Sequence, residues 1–393
     1  MLRKTLTVLL TIASMATATP FNMRRQSTTH KLTIGGPAQI LTADFDGSSF
    51  SITSKNVTTG SIPSWLRFKV HTSNTLYAVN ENGSDINVFA IDPTTGGNLT
   101  YVTSANGSSG VVFLEFNTDQ TRMVGAAYGS GMIDVWDLTA TNSTPKILKQ
   151  IEVGGPLGPG QAGHHPHQAL LDPTRRFMIV PDLGGDQLLV LDTQDDKYEI
   201  TSNVSLPAGS GPRHGGFIVA DNRTFYTVAC EPSSMVVLYQ LTYTDSGLVL
   251  THISTQSTYG ALFPPANATS AAAGELVVAS NNKDVYISNR LSGNETDSIA
   301  HFVFDADKTA LNFVNTVSSG GLLPRHMSLS IDDAQSLMFV ANQGGNSGLA
   351  AFSRCHVTGK LSAEPIATKP NADLVAPGLE GQPNMGPQFV QEI

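Results

Sequence analysis

Cysteine and charged side chains are scarce in this chain of 393 residues, which has two Cys residues and only 14% Asp, Glu, Lys and Arg. Two cysteines cannot build the disulfide framework that holds small secreted domains together. We therefore expect a hydrophobic core to carry the fold. Cys230 and Cys355 are predicted to be buried free thiols, with a single long-range bridge between them as the alternative.

Basic runs and several catalytic motifs are also missing. The formal net charge is -9, and no run of Lys and Arg offers a surface for nucleic acid or for an anionic membrane. The sequence has no HExxH or CxxC motif, no nucleophile elbow and no phosphate-cradling glycine loop. These absences argue against a zinc protease, a serine hydrolase and a nucleotide enzyme, and we expect no cofactor.

The amino terminus has the pattern of an export signal. Residues 1–18 combine two basic residues at 3–4, an apolar run over 6–13 and the small-residue sequence Ala-Thr-Ala at 16–18. That run is too short to span a bilayer. Residues 19–30 form a short leader with a candidate dibasic processing site, and nine Asn-x-Ser/Thr sequons follow. We expect a secreted glycoprotein with one domain over residues 31–393.

Glycine and proline, in contrast, are abundant and spread along the chain, with 36 and 21 copies. They separate short apolar segments of strand type. One such segment recurs at intervals of about 47–60 residues, in the range of propeller blades, and we interpret it as the second strand of each unit. These six segments are 76–81, 123–127, 178–182, 225–231, 285–290 and 338–343.

Strands outside these units predict a seventh. Segments 31–34, 39–45 and 49–57 precede the first unit, and residues 388–393 can supply the missing strand from the other end. No run has convincing helical periodicity. The sequence therefore predicts an all-β, seven-bladed β-propeller that is closed by strands from both termini.

Polar side chains recur where the first strand of a unit starts and where its second strand ends. In a propeller these two points lie at the same end of a blade, and the first strand lines the central channel. First-strand starts supply His165, His167, Arg213, His214, Arg325 and His326; second-strand ends supply Asn80, Glu81, Asp182, Glu231, Arg290, Asn342 and Gln343. We expect these groups to converge on one channel mouth.

Such a set of residues suits chemistry on a small anion. Arg213, Arg290 and Arg325 can hold a carboxylate or phosphate through bidentate hydrogen bonds. His167 has an ordinary pKa near neutrality and is a candidate proton-transfer group. Glu231 can orient an arginine, or act as a base if burial raises its pKa.

Two simpler interpretations stay open. Each Pro-Arg-His can be a solvated turn whose arginine pairs with a neighbouring carboxylate. His165 and His167 point the same way on a strand and can form part of a metal site, although no acidic partner stands at a diagnostic spacing.

Three motifs carry a family resemblance: Pro-His167-Gln before an Asp-Pro-Thr turn, Gly-Pro-Arg213-His, and Ser-Asn-Arg290. Together they resemble the seven-bladed propeller family that contains bacterial 6-phosphogluconolactonase and fungal carboxy-cis,cis-muconate cyclase. The resemblance covers nearly the whole chain from residue 31 to 393. It implies a metal-free enzyme that acts on a lactone, or forms one, at the channel mouth.

The resemblance also implies individual roles. His167 matches the cyclase's proposed general acid/base, Arg213 and Arg290 its carboxylate-binding arginines, and Glu231 its acidic partner. Four further residues are expected to contact the substrate: Arg325, His326, His165 and His214.

We therefore expect a secreted enzyme that opens or closes the lactone ring of a small carboxylated or phosphorylated compound. One alternative is a muconate-cyclase-type isomerase that forms the lactone. Another is a non-catalytic extracellular propeller that binds a sugar or a protein. The sequence leaves the natural substrate, the reaction direction and the oligomeric state open.

Overall fold

A computed structural model describes residues 29–69, 74–92, 97–139, 144–245, 247–260 and 263–393. The expected signal peptide (1–18), most of the expected leader (19–30) and the sequon at Asn142 lie outside the described residues. Within these ranges, no helix is long and apolar enough to cross a membrane.

Antiparallel strands form nearly all of the regular structure. In chain order they are β1 (His30–Gly36), β2 (Gln39–Phe45), β3 (Phe50–Val57), β4 (Leu66–Lys69), β5 (Thr75–Val79), β6 (Asp85–Ile91), β7 (Leu99–Asn106), β8 (Val111–Phe116), β9 (Arg122–Ala127), β10 (Met132–Asp137), β11 (Lys146–Glu152), β12 (Leu170–Leu171), β13 (Phe177–Asp182), β14 (Gln187–Asp192), β15 (Glu199–Ser205), β16 (Pro212–Ala220), β17 (Arg223–Cys230), β18 (Met235–Thr244), β19 (Gly247–Ser257), β20 (Ala272–Val278), β21 (Asp284–Arg290), β22 (Ser298–Asp305), β23 (Ala310–Ser318), β24 (Leu322–Leu329), β25 (Leu337–Gly344), β26 (Ser347–Ser353), β27 (Ala367–Pro370) and β28 (Phe389–Glu392). Two short 3-10 segments, Gln194–Asp196 and Asn371–Asp373, complete the elements of the described chain. The all-β prediction is confirmed.

The strands form seven four-stranded sheets, the blades of a propeller. Blades 1 to 6 each use four consecutive strands, from β4–β7 to β24–β27. Blade 7 has the order β28-β1-β2-β3, with Leu32 opposite Glu392 and Gly35 opposite Phe389. The predicted closure by both termini is therefore confirmed. Glycine is required at position 35, because a Cβ atom there would lie 2.1 Å from the carbonyl oxygen of Pro63.

The hydrophobic core lies between neighbouring blades. Every residue of the middle strand β13 is buried, because adjacent blades cover both faces of the sheet. The outer strand β3 instead alternates between exposed and half-buried residues over most of its length. Blades 3 and 4 share a cluster that includes Phe177, Tyr226 and Tyr239. Similar clusters around the ring hold the channel walls in place.

The two cysteines are free, as predicted, but only one of them is buried. Cys230 ends β17 and packs in the core between blades 3 and 4. Cys355 is exposed, so the prediction of its burial was wrong. It follows β26 in the connection to β27 and therefore lies outside the inter-blade core.

A β-bulge interrupts the first strand of several blades near the point where the chain enters it. The strand register shifts around Val112 in blade 2, Arg213 in blade 4 and Arg325 in blade 6. A bulge breaks the strict alternation of side chains and re-aims the extra residue. As a result, each arginine and the histidine after it line the same cavity.

Candidate active site

Five of the predicted site residues line one small cavity just inside the channel mouth. They are His167, Arg213, His214, Arg325 and His326. The cavity holds about 10 Å³, close to the room that one water molecule needs. A larger molecule would therefore sit above it, at the open mouth. A wider hollow of about 500 Å³, around Asp221 and Lys283, contains none of the predicted residues.

Glu231 joins two arginines from different blades. Its carboxylate lies at the end of β17, 2.8 Å from Nε of Arg213 and 2.9 Å from Nη2 of Arg290. Nη1 of Arg213 also donates a hydrogen bond to the carbonyl oxygen of Gly274 at 3.0 Å. Gly274 leaves space for the second arginine, because a Cβ atom there would lie 3.1 Å from Nε of Arg290.

The charges of this cluster are coupled. Burial alone would raise the pKa of Glu231, but the guanidiniums of Arg290 and Arg213 outweigh it and lower that pKa below its ordinary value. Burial and the positive charge of Arg290 lower the pKa of Arg213 to about 10. Glu231 and Arg213 are therefore both charged at neutral pH. Of its two predicted roles, Glu231 fits the orientation of arginines better than that of a base.

A second ion pair crosses from blade 6 to blade 1. Nη2 of Arg325 lies 2.6 Å from Oε2 of Glu81. Burial would raise the pKa of Glu81, but the charge of Arg325 lowers it overall. Both pairs leave part of the carboxylate accessible, with 28% of the Glu231 side chain and 25% of the Glu81 side chain exposed. The arginines are thus fixed in place while the mouth remains open to water.

His167 is held from below by a second histidine and a carboxylate. Its Nδ1 lies 3.0 Å from Nε2 of His214, whose Nδ1 lies 2.8 Å from Oε1 of Glu275. All three residues are buried. Burial and the charge of Arg213 lower the pKa of His167 well below its ordinary value. The imidazole is therefore uncharged at neutral pH.

Aromatic rings form the floor of the cavity. Trp65 packs edge-on against His214 at 5.6 Å and against His326 at 5.0 Å between ring centroids. His326 also stacks on Phe389 of the closing strand at 4.2 Å. Burial lowers the pKa of His326 to about 4, although the charge of Glu275 opposes this. His326 is thus an uncharged part of the floor.

His165, also predicted to bind substrate, lies to one side of this cavity. Its ring stacks on Tyr128 at 4.2 Å, and its Nδ1 is 2.7 Å from the carbonyl oxygen of Tyr128. The Asp182 carboxylate accepts a hydrogen bond from the backbone N–H of His165, and its other oxygen lies 2.7 Å from Nδ1 of His164. These contacts shape the wall beside His167, which meets the same Tyr128 ring edge-on at 5.5 Å.

Two polar residues expected at the mouth have structural partners instead. Asn80 accepts a hydrogen bond from the backbone N–H of Ile62 and donates one to Asp85. Asn342 is buried and donates to the carbonyl oxygen of Ser319 at 3.1 Å. Their amides fix turns and strand ends.

The metal interpretation finds no support in the described ranges. No group of three or more His, Cys, Asp or Glu side chains in them is arranged to hold a metal ion. His165 and His167 are engaged separately, one with Tyr128 and the other with His214.

Sequence analysis missed Glu275 and Trp65. Glu275 lies in β20, whose register against β21 shifts between Ala273 and Leu276. Glu275 therefore lies at the bulge of blade 5. His214 and His326 occupy the corresponding positions at the bulges of the flanking blades 4 and 6. Alignment of the first strands would have revealed it, although β20 lacks the Pro-Arg-His motif. Trp65 lies before a short strand and carries no such signal.

The sequence matches the family described as "Lactonase, 7-bladed beta-propeller" over residues 27–371. The chain belongs to this family. A fungal member from Arthroderma benhamiae, named "Probable 6-phosphogluconolactonase", is 28% identical over 338 residues, which cover 84% of this chain and 83% of the relative.

Solved structures share the lactonase-family fold. The periplasmic gluconolactonase of Pseudomonas aeruginosa matches with a TM-score of 0.74 and 22% identity, over 93% of this chain and 99% of its own. A protein from Lactobacillus plantarum matches with a TM-score of 0.71 and 21% identity, over 87% and 99%. At these identities the likeness establishes the fold, and function must be argued from the site.

Proposed function

We propose that this lactonase-family protein is a secreted hydrolase that opens the ring of a small anionic lactone at the channel mouth. One observation carries the proposal: an uncharged His167 shares a cavity with Arg213 and Arg325. A base beside two fixed cations suits the attack of water on a carbonyl group. The names of two similar proteins, a 6-phosphogluconolactonase and a gluconolactonase, support a lactone substrate.

Three guanidinium groups at the mouth favour an anionic substrate. Arg213 and Arg290 pair with Glu231, and Arg325 pairs with Glu81, while a third carboxylate in the cavity, Glu275, bonds to His214. Cationic groups are thus gathered at the mouth although the whole chain carries a formal charge of -9. Guanidinium groups match carboxylate and phosphate oxygens in pairs. The proposed substrate therefore carries one of these groups next to its lactone ring.

Hydrolysis needs one base and one site for negative charge. Nε2 of His167 takes a proton from water as the water oxygen attacks the lactone carbonyl carbon. Arg325 or Arg213 stabilises the oxyanion that forms on the carbonyl oxygen. The oxyanion then collapses and the ring C–O bond breaks. His167 returns the proton to the leaving alkoxide, and the product is a hydroxy acid.

Export is part of the proposal and rests on residues 1–18 together with the sequons. Several sequon asparagines are exposed and can carry glycans: Asn82, Asn98, Asn106, Asn203, Asn222 and Asn267. If the protein is secreted from a fungal or other eukaryotic host, treatment with an endoglycosidase should lower its apparent mass. Retention inside the cell without glycans would contradict export.

A cyclase-type reaction is the second candidate, because His167, Arg213, Glu231 and Arg290 match the residues that the family resemblance implies for it. Formation of a lactone from a muconate requires an acid that delivers a proton to carbon. The lowered pKa of His167 leaves it without that proton at neutral pH. This observation favours the hydrolytic direction.

A pH-stat titration tests the proposal. The purified protein is given δ- and γ-lactones of sugar acids, with and without a phosphate group, and separately a carboxymuconate. We expect acid release from an anionic lactone, and a loss of at least about 10²-fold in His167→Ala because the base is removed. Arg213→Ala should raise KM for the anionic substrate more than for its neutral analogue.

The outcomes separate the candidates. Equal turnover by the wild type and His167→Ala would remove the mechanism. Proton uptake on the carboxymuconate without any lactone hydrolysis would favour the cyclase. No turnover of either class of compound would favour a binding propeller.

A further inference from the structure

Three buried side chains from three blades form a continuous line beneath the mouth. Glu275 comes from β20, His214 from the bulge of β16, and His167 from the segment before β12. The two contacts measure 2.8 Å and 3.0 Å. Such a line fixes the positions of protons as well as the orientations of the rings.

The proton positions along this line follow from the first member. Burial would raise the pKa of Glu275, but the neighbouring His214 lowers it to about 2, so the carboxylate is ionised and only accepts hydrogen bonds. His214 must then carry its proton on Nδ1. Burial lowers the pKa of His214 despite the opposing charge of Glu275. Its Nε2 is therefore unprotonated and accepts the Nδ1–H of His167.

His167 is consequently left with a free lone pair on Nε2. Among the described residues, no hydrogen-bond partner reaches that atom, and His167 lines the cavity at the mouth. Without His214, a neutral His167 could equally carry its proton on Nε2, and its lone pair would point into the protein. The Glu275 carboxylate thus selects the tautomer of the His167 imidazole, which is two hydrogen bonds away.

The rings on this line are also held rigidly. Trp65 and Phe113 meet His214 edge-on, with centroid distances of 5.6 Å and 5.7 Å. Tyr128 meets His167 edge-on at 5.5 Å. The backbone beside His214 is fixed as well, since the N–H of Gly215 donates to Oε1 of Gln168 at 2.8 Å. Little rotation of either imidazole is possible without displacing these groups.

We propose that Glu275 and His214 are positioning residues that hold His167 in the tautomer whose Nε2 accepts a proton at the channel mouth. This inference rests on the proposed hydrolytic function for its kinetic consequence. Its structural content, the position of one proton, does not depend on turnover. Both lie beneath His167, so the inference gives His214 a positioning role in place of the substrate contact expected from the sequence.

Nitrogen NMR tests the tautomer directly. In protein labelled with ¹⁵N-histidine, multiple-bond proton–nitrogen spectra show which ring nitrogen carries the proton, and His167→Asn assigns the signal. We expect Nδ1–H on His167 in the wild type. In His214→Phe, which keeps a flat ring beside Trp65 but removes the acceptor, we expect both tautomers.

Kinetics test the consequence. Glu275→Gln keeps the shape of the side chain but removes the charge that fixes the line, so kcat should fall by about 10²-fold or more, while KM changes by less than about threefold. Glu115→Gln is the matched control, because Glu115 is also buried and lines a wider cavity of about 350 Å³ beneath the floor together with Glu275. Its kcat should equal that of the wild type.

The result that overturns the inference is Nε2–H on His167 in the wild type, whatever the activity. A change in KM without a change in kcat for Glu275→Gln would also overturn it, since that would indicate substrate binding. If the wild type hydrolyses no lactone, the proposed function is wrong. The NMR spectrum would still show which tautomer His167 adopts. If circular dichroism shows that His214→Phe and Glu275→Gln do not fold, the wild-type spectrum, assigned with His167→Asn, gives the answer.

Discussion

Phe389 lies in the strand that closes the propeller and also contacts the candidate active site. Its replacement by alanine tests whether stability and activity both depend on that strand. The side chain is 1% exposed, in the strand that the C-terminus contributes to blade 7. Truncation of a buried phenylalanine costs about 3–5 kcal/mol. We expect the upper part of this range, because the ring also stacks on His326 at 4.2 Å and meets Trp65 at 5.2 Å. Such a loss is a large fraction of a typical stability of about 5–15 kcal/mol.

Urea unfolding followed by tryptophan fluorescence measures this loss. With a slope of roughly 3 kcal/mol per molar urea, the midpoint of Phe389→Ala should fall by roughly 1 M or more. Lactone turnover should fall by roughly tenfold or more, because Trp65 and His326 lose the ring that fixes the cavity floor.

Phe302→Ala is the matched control for this experiment. Phe302 is equally buried but lies in the core between blades 4 and 5. Phe302→Ala should lose a similar free energy of unfolding, and its kcat should equal that of the wild type under conditions in which the variant is folded. A midpoint shift below about 0.3 M for Phe389→Ala would refute the reasoning that the C-terminal strand closes the ring energetically. Equal kcat losses in both variants would show that the floor does not depend on Phe389.

Three further predictions concern other parts of the molecule. Because burial and Arg213 disfavour a charged His167, the acid limb of the pH profile of kcat/KM should lie below about pH 6.5. The acid limb of kcat should lie at higher pH, since a bound anion offsets the guanidinium charge. Arg213→Gln should move the acid limb of kcat/KM to higher pH. Coincident limbs at or above that pH in the wild type would contradict the assignment of the base. A thiol reagent should label Cys355 alone in the native protein and Cys230 only after unfolding; two fast-reacting thiols would show that the core between blades 3 and 4 is open. Asp284→Asn should lower the free energy of unfolding by about 3–5 kcal/mol, because it leaves the buried Arg354 without its ion-pair partner, yet turnover should persist. A melting temperature equal to that of the wild type would show that this ion pair does not stabilise the fold.

Most of the fold could be predicted from the sequence, because its signal is local. Middle strands such as β13 and β25 are covered on both faces, so they appear as continuous apolar runs between turn residues. Closure by the termini followed from counting: three strands at one end required one from the other. First strands were harder to predict. β12 has only two paired residues, and the chain before it, which carries His167, meets β13 through an isolated bridge between Pro166 and Asp182.

The site could be predicted only where its residues share a motif. Arg213 and Arg325 follow proline and precede histidine, and bulges at both turn these residues toward one cavity. Glu275 has no such neighbours, and its importance depends on a contact across 61 positions of the chain. Whether Glu231 is a base or an orienting group likewise depends on how many arginines surround it, which only the folded ring determines.

Taken together, the charges suggest how the mouth responds to its substrate. Burial lowers the pKa of His167, and without an anion Arg213 and Arg325 lower it further. A base with a very low pKa is a weak one. A substrate carboxylate or phosphate placed between the guanidiniums opposes their charge and strengthens the base beside it. A neutral lactone would bind without that effect. The same arginines that select an anionic substrate would therefore also make the imidazole more basic when that substrate is bound, so selectivity should be expressed in kcat as well as in KM.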